Sequence, residues 1–136
     1  VNSVRDTNGN IVSKEEKDHT QIDVSNATME TVQKGMNMAA NSYSGFKNLN
    51  MNIAAKTGTA QESANYPDHA LCVGYAPYEN PEISFSVNIQ YGYKSQYAVD
   101  LTADVLRYYF GEITKDEIMA GNAEGPRIEK TAGDTE

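Results

Sequence analysis

Three runs of β-forming residues lie close together in the middle of the chain, at 52–60, 69–76 and 83–91. The third alternates cleanly, with Ile83, Phe85, Val87 and Ile89 on one face and Ser84, Ser86, Asn88 and Gln90 on the other. The stretches between the runs, Glu62 to Asp68 and Tyr78-Glu79-Asn80-Pro81, are loops by composition. A parallel neighbour needs a crossover of roughly a dozen residues or more, so connections this short predict an antiparallel meander. The run 69–76 is the most apolar and is expected at its centre.

Helical patterns flank the meander. Ser25 or Asn26 can cap a helix running to about Asn41, with Met29, Val32, Met36 and Ala39 as its buried stripe. Gly35 inside that helix costs roughly 1 kcal/mol against alanine, so close packing is expected there in compensation. Asn41 to Asn50 reads as a polar loop. After the meander, Ser95 caps a helix from about Gln96 to Phe110, its stripe being Ala98, Leu101, Val105 and Tyr109, and Gly111 ends it. Thr114 to Ala120 adds a short helical turn. Ahead of all this, Val1 to Val12 reads as a hairpin, because Asn8-Gly9 tolerates the positive φ of a tight turn. The polar run Ser13 to Gln21 is loop, and His19 within it is a surface residue. The fold class is therefore α/β of the α+β type: an antiparallel three-stranded sheet with packing helices over residues 1–120, and a disordered tail at 121–136, where apolar residues almost vanish.

At 136 residues the chain is one domain or a piece of one. A net charge of -8 argues against nucleic acid, which selects a basic stripe. No apolar run reaches the roughly 18 residues of a membrane span, and no signal peptide is visible. Val1 opens in what reads as mid-strand, so an upstream anchor would not be seen. The single cysteine, Cys72, sits in the apolar stretch Ala70-Leu71-Cys72-Val73 and reads as a small buried hydrophobe. His19, His69 and Cys72 do not make a metal-ligand cluster, and no cofactor is implied.

The chemistry concentrates in the first strand, Ile53-Ala54-Ala55-Lys56-Thr57-Gly58-Thr59-Ala60-Gln61. Small residues let a ligand approach the backbone, and a strand edge offers unpaired N–H and C=O groups to it. Lys56 adds a compact positive charge, and the Thr57 and Thr59 hydroxyls can each donate and accept. This set suits a carboxylate-bearing substrate lying along the strand. It also describes an ordinary edge strand with a solvated lysine. One geometric condition applies: Lys56 and Thr57 point to opposite faces of a regular strand, so both can serve one site only if it wraps the edge.

Lys56-Thr57-Gly58 resembles the third signature motif of penicillin-binding proteins and serine β-lactamases. Its continuation Thr59-Ala60-Gln61 is similar to the class B penicillin-binding proteins, the monofunctional peptidoglycan transpeptidases. Asp68-His69-Ala70-Leu71-Cys72-Val73-Gly74-Tyr75-Ala76-Pro77 and the upstream Gln33-Lys34-Gly35-Met36 resemble family segments at matching spacing, and the likeness covers roughly residues 1 to 112. It implies a fragment of the penicillin-binding transpeptidase fold and a site for acyl-serine transfer on D-Ala-D-Ala stem peptides and β-lactams. In such a site Lys56 holds the electrostatics and Thr57 and Thr59 bind the terminal carboxylate. Gly58 keeps a side chain out of the substrate's way, and the Thr59 N–H completes the oxyanion hole. The implied location is the extracytoplasmic face of a bacterial plasma membrane, and the implied partner is the remainder of the transpeptidase domain. The third strand then has a free edge open to self-association.

The family's other motifs, Ser-x-x-Lys and Ser-x-Asn, precede Lys-Thr-Gly in chain order. Ser44-Gly45-Phe46-Lys47 fits the first literally but lies in a glycine-containing polar loop, whereas the true motif opens a buried helix. Ser63-Ala64-Asn65 and Ser86-Val87-Asn88 fit the second but follow Lys56. His69 beside Asp68 lacks a Gly-x-Ser-x-Gly elbow and reads as structural. The nucleophile is therefore expected outside this chain, and the isolated chain is expected to be inactive. A β-lactam sensor, a β-lactamase fragment and a non-catalytic module with a degenerate transpeptidase sheet share the same strand.

Overall fold

The computed structural model describes residues 3–14 and 20–121. Strands β3 (Ala54–Ala60), β4 (His69–Ala76) and β5 (Ile83–Ile89) form the expected antiparallel meander, in the order β3-β4-β5. The register runs from Ala54 opposite Tyr75 to Ala60 opposite His69, and from Ala70 opposite Ile89 to Ala76 opposite Ile83. Gly74 sits where β3 passes closest: a Cβ there would meet the Ala54 carbonyl, the Ala55 Cα at 2.9 Å and the Phe85 ring at 2.6 Å. The fully buried Ala54 and Ala55 follow from the same crowding.

Helix α2 (Ser95–Tyr109) covers the face of the sheet that carries Ala70, Cys72 and Ala76. Its buried residues are Ala98, Val99, Thr102, Ala103 and Leu106, whereas Leu101, Val105 and Tyr109 are about half exposed. The expected stripe is thus rotated by roughly one position. Thr102 can enter the core because its hydroxyl donates to the Ala98 carbonyl at 2.6 Å, which satisfies the polar group locally. Leu106, fully buried, contributes about 2 kcal/mol by its removal from water. Ser95 is the first helical residue; the N-cap is Lys94, without a side-chain cap. Phe110 is the C-cap and Gly111, at φ +75°, ends the helix as expected.

Helix α1 (Asn26–Ala40) is capped by Ser25, whose Oγ accepts from the Thr28 N–H. It packs on β3 only through its C-terminal half. Ala40 is buried and Met36 and Ala39 are partly so, but Met29 and Val32 are exposed, against the expected stripe. Nothing described lies within 4 Å of a Cβ at Gly35, so the close packing expected there is absent among the described residues. The loop after α1 is more ordered than its composition suggests. A 3-10 turn at Ser44–Phe46 buries Gly45 and Phe46, and a Cβ on Gly45 would meet Asp100 Oδ1 at 2.5 Å and Val99 Cγ1 at 2.8 Å on α2.

The hairpin of β1 (Ser3–Arg5) and β2 (Ile11–Lys14) is present, with a register shift between Val4 and Arg5. Only Gly9 takes positive φ in its turn. The Asp6 carboxylate organises the rest, accepting from the N–H groups of Asn8 and Asn10. The Asn10 side-chain amide donates to it as well, at 3.1 Å, and that bond first, with the backbone N–H groups, holds Asp6 below its ordinary pKa. Helix α3 (Lys115–Met119) is the expected short turn, closed by a capping box between Thr114 and Glu117. His19 and the tail from 122 onward lie outside the described residues. No described helix is long and apolar enough to cross a membrane.

Candidate functional site

Strand β3 is an edge strand, and the side-chain caps along it identify which backbone groups face outward. Asn37 Nδ2 on α1 donates to the Ile53 carbonyl at 2.8 Å. Two turns of pleat further on, the Thr57 N–H donates to the Tyr43 hydroxyl at 3.4 Å. Odd-numbered residues of β3 therefore direct their N–H and C=O groups away from β4, and Thr59 continues the series. No side chain among the described residues accepts from the Thr59 N–H.

The pairs Thr57–Cys72 and Lys56–Val73 put Thr57 on the α2 face and Lys56 on the opposite one. Lys56 nevertheless reaches the edge, because its Nζ donates to the Thr57 carbonyl at 2.8 Å. A long flexible stem thus brings the ammonium to the strand edge, where the Thr57 carbonyl and the outward Thr59 N–H lie. That meets the wrapping condition set by strand geometry. The Thr57 hydroxyl is itself held, donating to Tyr43 Oη at 3.1 Å. Gly58 shares the Lys56 face, where an added Cβ would stand 3.5 Å from Leu71. Lys56 and Thr59 are exposed, and Thr57 and Gly58 are half-buried.

Behind the strand, the Cys72 thiol is fully buried and its pKa is raised, first by desolvation, with the Thr102 side chain and the Lys56 charge opposing. It belongs to the core, as its apolar neighbours suggested. At the far end of β3, a second group of side chains fixes the β3–β4 connection. The Tyr91 N–H donates to His69 Nδ1 at 3.3 Å, which leaves the ring proton on Nε2 to donate to Glu62 Oε2 at 3.1 Å. Tyr91 Oη also donates to Glu62 Oε2, at 3.4 Å, and the Tyr91 ring stacks on both Tyr66 and His69 with centroids 5.2 Å apart. Tyr91 has φ 54°, a left-handed conformation that this set of contacts over-determines.

The sequence patterns that mimic the missing motifs do not assemble a site. Ser44 lies on the 3-10 turn with Lys47 exposed as its C-cap. Ser63 Oγ accepts from the Asn65 N–H in a local turn, and Ser86 and Asn88 lie on β5. A cleft of about 140 Å³ opens at Ala40, Phe46, Met51 and Ile53, away from residues 56–59. Among the described residues no group of histidine, cysteine and carboxylate side chains could hold a metal. Among the participants that the sequence reading missed are Asn37, Tyr43, Glu62 and Tyr91. Tyr43 stood in a polar loop with no periodicity to point inward, and Glu62 in a stretch that composition marked only as loop.

The antiparallel sheet is thus covered on one face by α2 and carries Lys56-Thr57-Gly58 on its edge strand β3. The profile of the penicillin binding protein transpeptidase domain matches residues 1–109, and the chain belongs to that family. It is 31% identical to the peptidoglycan D,D-transpeptidase MrdA of Haemophilus influenzae over 106 residues, 63% of this chain and 16% of that protein. The fold is similar to penicillin-binding protein A of M. tuberculosis, solved as an imipenem acyl-enzyme complex, at a TM-score of 0.59 and 22% identity, covering 80% of this chain and 25% of that one. It is also similar to the D,D-transpeptidase domain of a peptidoglycan glycosyltransferase from Eggerthella lenta, at a TM-score of 0.60 and 21% identity, covering 82% and 26%. The chain thus spans about a sixth of the curated relative and a quarter of the solved chains.

Proposed function

We propose that this chain supplies the Lys-Thr-Gly wall of a class B transpeptidase site working on D-Ala-D-Ala stem peptides and open to acylation by β-lactams. In the complete enzyme a serine Oγ, from outside this chain, attacks the carbonyl carbon of the penultimate D-Ala. The C–N bond to the terminal D-Ala breaks, that D-Ala leaves with the proton, and the acyl group passes to the amine of a second peptide. This chain's part is to hold charge. Lys56 sets a positive field at the edge, and Thr59 donates its hydroxyl to the terminal carboxylate. Thr57 joins it once its hydroxyl turns its proton from Tyr43 Oη to the carboxylate and accepts from Tyr43 instead, and Gly58 leaves the approach open. The Thr59 N–H donates to the oxyanion, a contact worth roughly 3–4 kcal/mol in comparable hydrolases. The reading places the site on the extracytoplasmic side of a bacterial membrane, where its substrate is.

The observation that carries this reading is the convergence on one strand edge of the Lys56 ammonium, the Thr57 hydroxyl and an outward Thr59 N–H with no side-chain acceptor among the described residues. Its test is Lys56→Ala in the transpeptidase that contains this chain. Acylation by a fluorescent penicillin is expected to slow at least about tenfold, the equivalent of roughly 1.4 kcal/mol of lost preorganised charge. Near-normal labelling would remove Lys56 from the site.

A further inference from the structure

The outward backbone groups of an edge strand repeat every two residues, so an extended ligand can pair at more than one register. On β3 the outward groups at Ile53 and Thr57 are closed by this chain's own side chains, and Ala55 between them is fully buried. Asn37 occupies the Ile53 carbonyl, Lys56 Nζ occupies the Thr57 carbonyl, and Tyr43 Oη takes both the Thr57 N–H and the Thr57 hydroxyl. The next outward N–H is that of Thr59. We propose that Tyr43 is a positioning residue that sets the register in which an extended, carboxylate-terminated peptide adds to the edge of β3. This rests on the functional reading above and extends it to a residue outside the Lys-Thr-Gly motif.

Tyr43 is built to hold that place. Its ring packs edge-on against the buried Phe46, with centroids 6.0 Å apart, and the adjoining Gly45 is pinned against Asp100 and Val99 of α2. The hydroxyl is thereby fixed by the core rather than by the solvent. Removing it frees the Thr57 N–H two residues short of Thr59. A peptide paired there places its reacting carbonyl about 7 Å from the oxyanion donor, at roughly 3.4 Å of strand per residue, and is bound without reacting. Non-productive binding has a definite kinetic signature: kcat and KM fall by the same factor, and kcat/KM stays constant.

The experiment is Tyr43→Phe in the transpeptidase that contains this chain, assayed by release of D-Ala from an N-acylated peptide ending in D-Ala-D-Ala. The phenylalanine keeps the ring against Phe46, so the packing is preserved. We expect kcat and KM each to fall about three- to tenfold with kcat/KM held within twofold, and amide exchange at Thr57 to accelerate at least tenfold while that at Thr59 is unchanged. A fall in kcat/KM with KM unchanged or raised would mean that Tyr43 only braces the strand, and would overturn the proposal; so would unaltered kinetics or unaltered Thr57 exchange. A wild-type enzyme that neither releases D-Ala nor takes up penicillin would defeat the functional reading itself, and the register proposal with it.

Discussion

Asp100 is the residue whose charge works against its surroundings. It lies on α2 beside the tightly packed Gly45, and desolvation raises its carboxyl pKa above the ordinary 3.8. Gln96 Nε2, donating to Oδ1 at 2.8 Å, opposes that rise, and the nearby Asp104 charge adds to it. A folded-state pKa above the unfolded one means that the folded chain binds the proton more tightly. Its contribution to stability is full below about pH 3.8 and is lost as pH rises through the folded value, so ionised Asp100 destabilises the fold at neutral pH. Asp100→Asn keeps an acceptor for Gln96 and removes the charge. Thermal melts should show the variant gaining over wild type at pH 7 and losing that gain at pH 3.5. An equal change at both pH values would mean that Asp100 is ionised without penalty. None of this is written in the local sequence, where Asp100 is one more polar residue on an amphipathic helix.

The elements were legible where their residues face a single partner. β4 and β5 could be placed to within a residue or two because period-two alternation and apolar content are set by the sheet alone. The helix faces were harder. On α2 the buried Thr102 broke the apolar pattern, and the stripe through Leu101 and Val105 turned outward. On α1 the pattern of Met29 and Val32 is amphipathic, yet no described element covers them. The edge strands carry the sharper consequence. β3's outer edge is capped at Ile53 and Thr57, whereas β5 has no strand neighbour beyond it in the described sheet. Its half-buried Ile83, Phe85, Val87 and Ile89 make that edge apolar on one face, a template for pairing with another chain. The purified 136-residue chain should therefore self-associate with rising concentration in light scattering. Continuing the alternation from Thr57 across β4 makes the Ser86 N–H point away from the sheet, so Ser86→Pro should block the edge without breaking the ladder. A wild-type chain that remains monodisperse and monomeric at high concentration would count against this role for β5.

At the scale of the whole molecule, the proposed function separates the Lys-Thr-Gly strand from the nucleophile that would complete its site. The candidate motif Lys56-Thr57-Gly58-Thr59 drew notice in the sequence for its small residues, hydroxyls and cation, and only its resemblance to the family motif set it apart from an ordinary edge strand with a solvated lysine. How Lys56 reaches the Thr57 carbonyl at the strand edge was not readable there, since it depends on a side-chain path. Acyl transfer needs more than that wall. The Ser44-x-x-Lys47 pattern sits on a 3-10 turn whose lysine is exposed, with no buried helix N-terminus to activate a hydroxyl. An oxyanion donor cannot act on an acyl-enzyme that never forms, and one strand edge encloses too little of a ligand to bind it well without covalent capture. We therefore expect the purified 136-residue chain, incubated with a fluorescent penicillin and then denatured, to give no labelled band and no mass shift, while the transpeptidase that contains it labels to about one equivalent under the same conditions. Stoichiometric labelling of the isolated chain at any serine would reverse that expectation. Labelling at Ser44 in particular would make the 3-10 turn, and not a segment outside the chain, the source of the nucleophile.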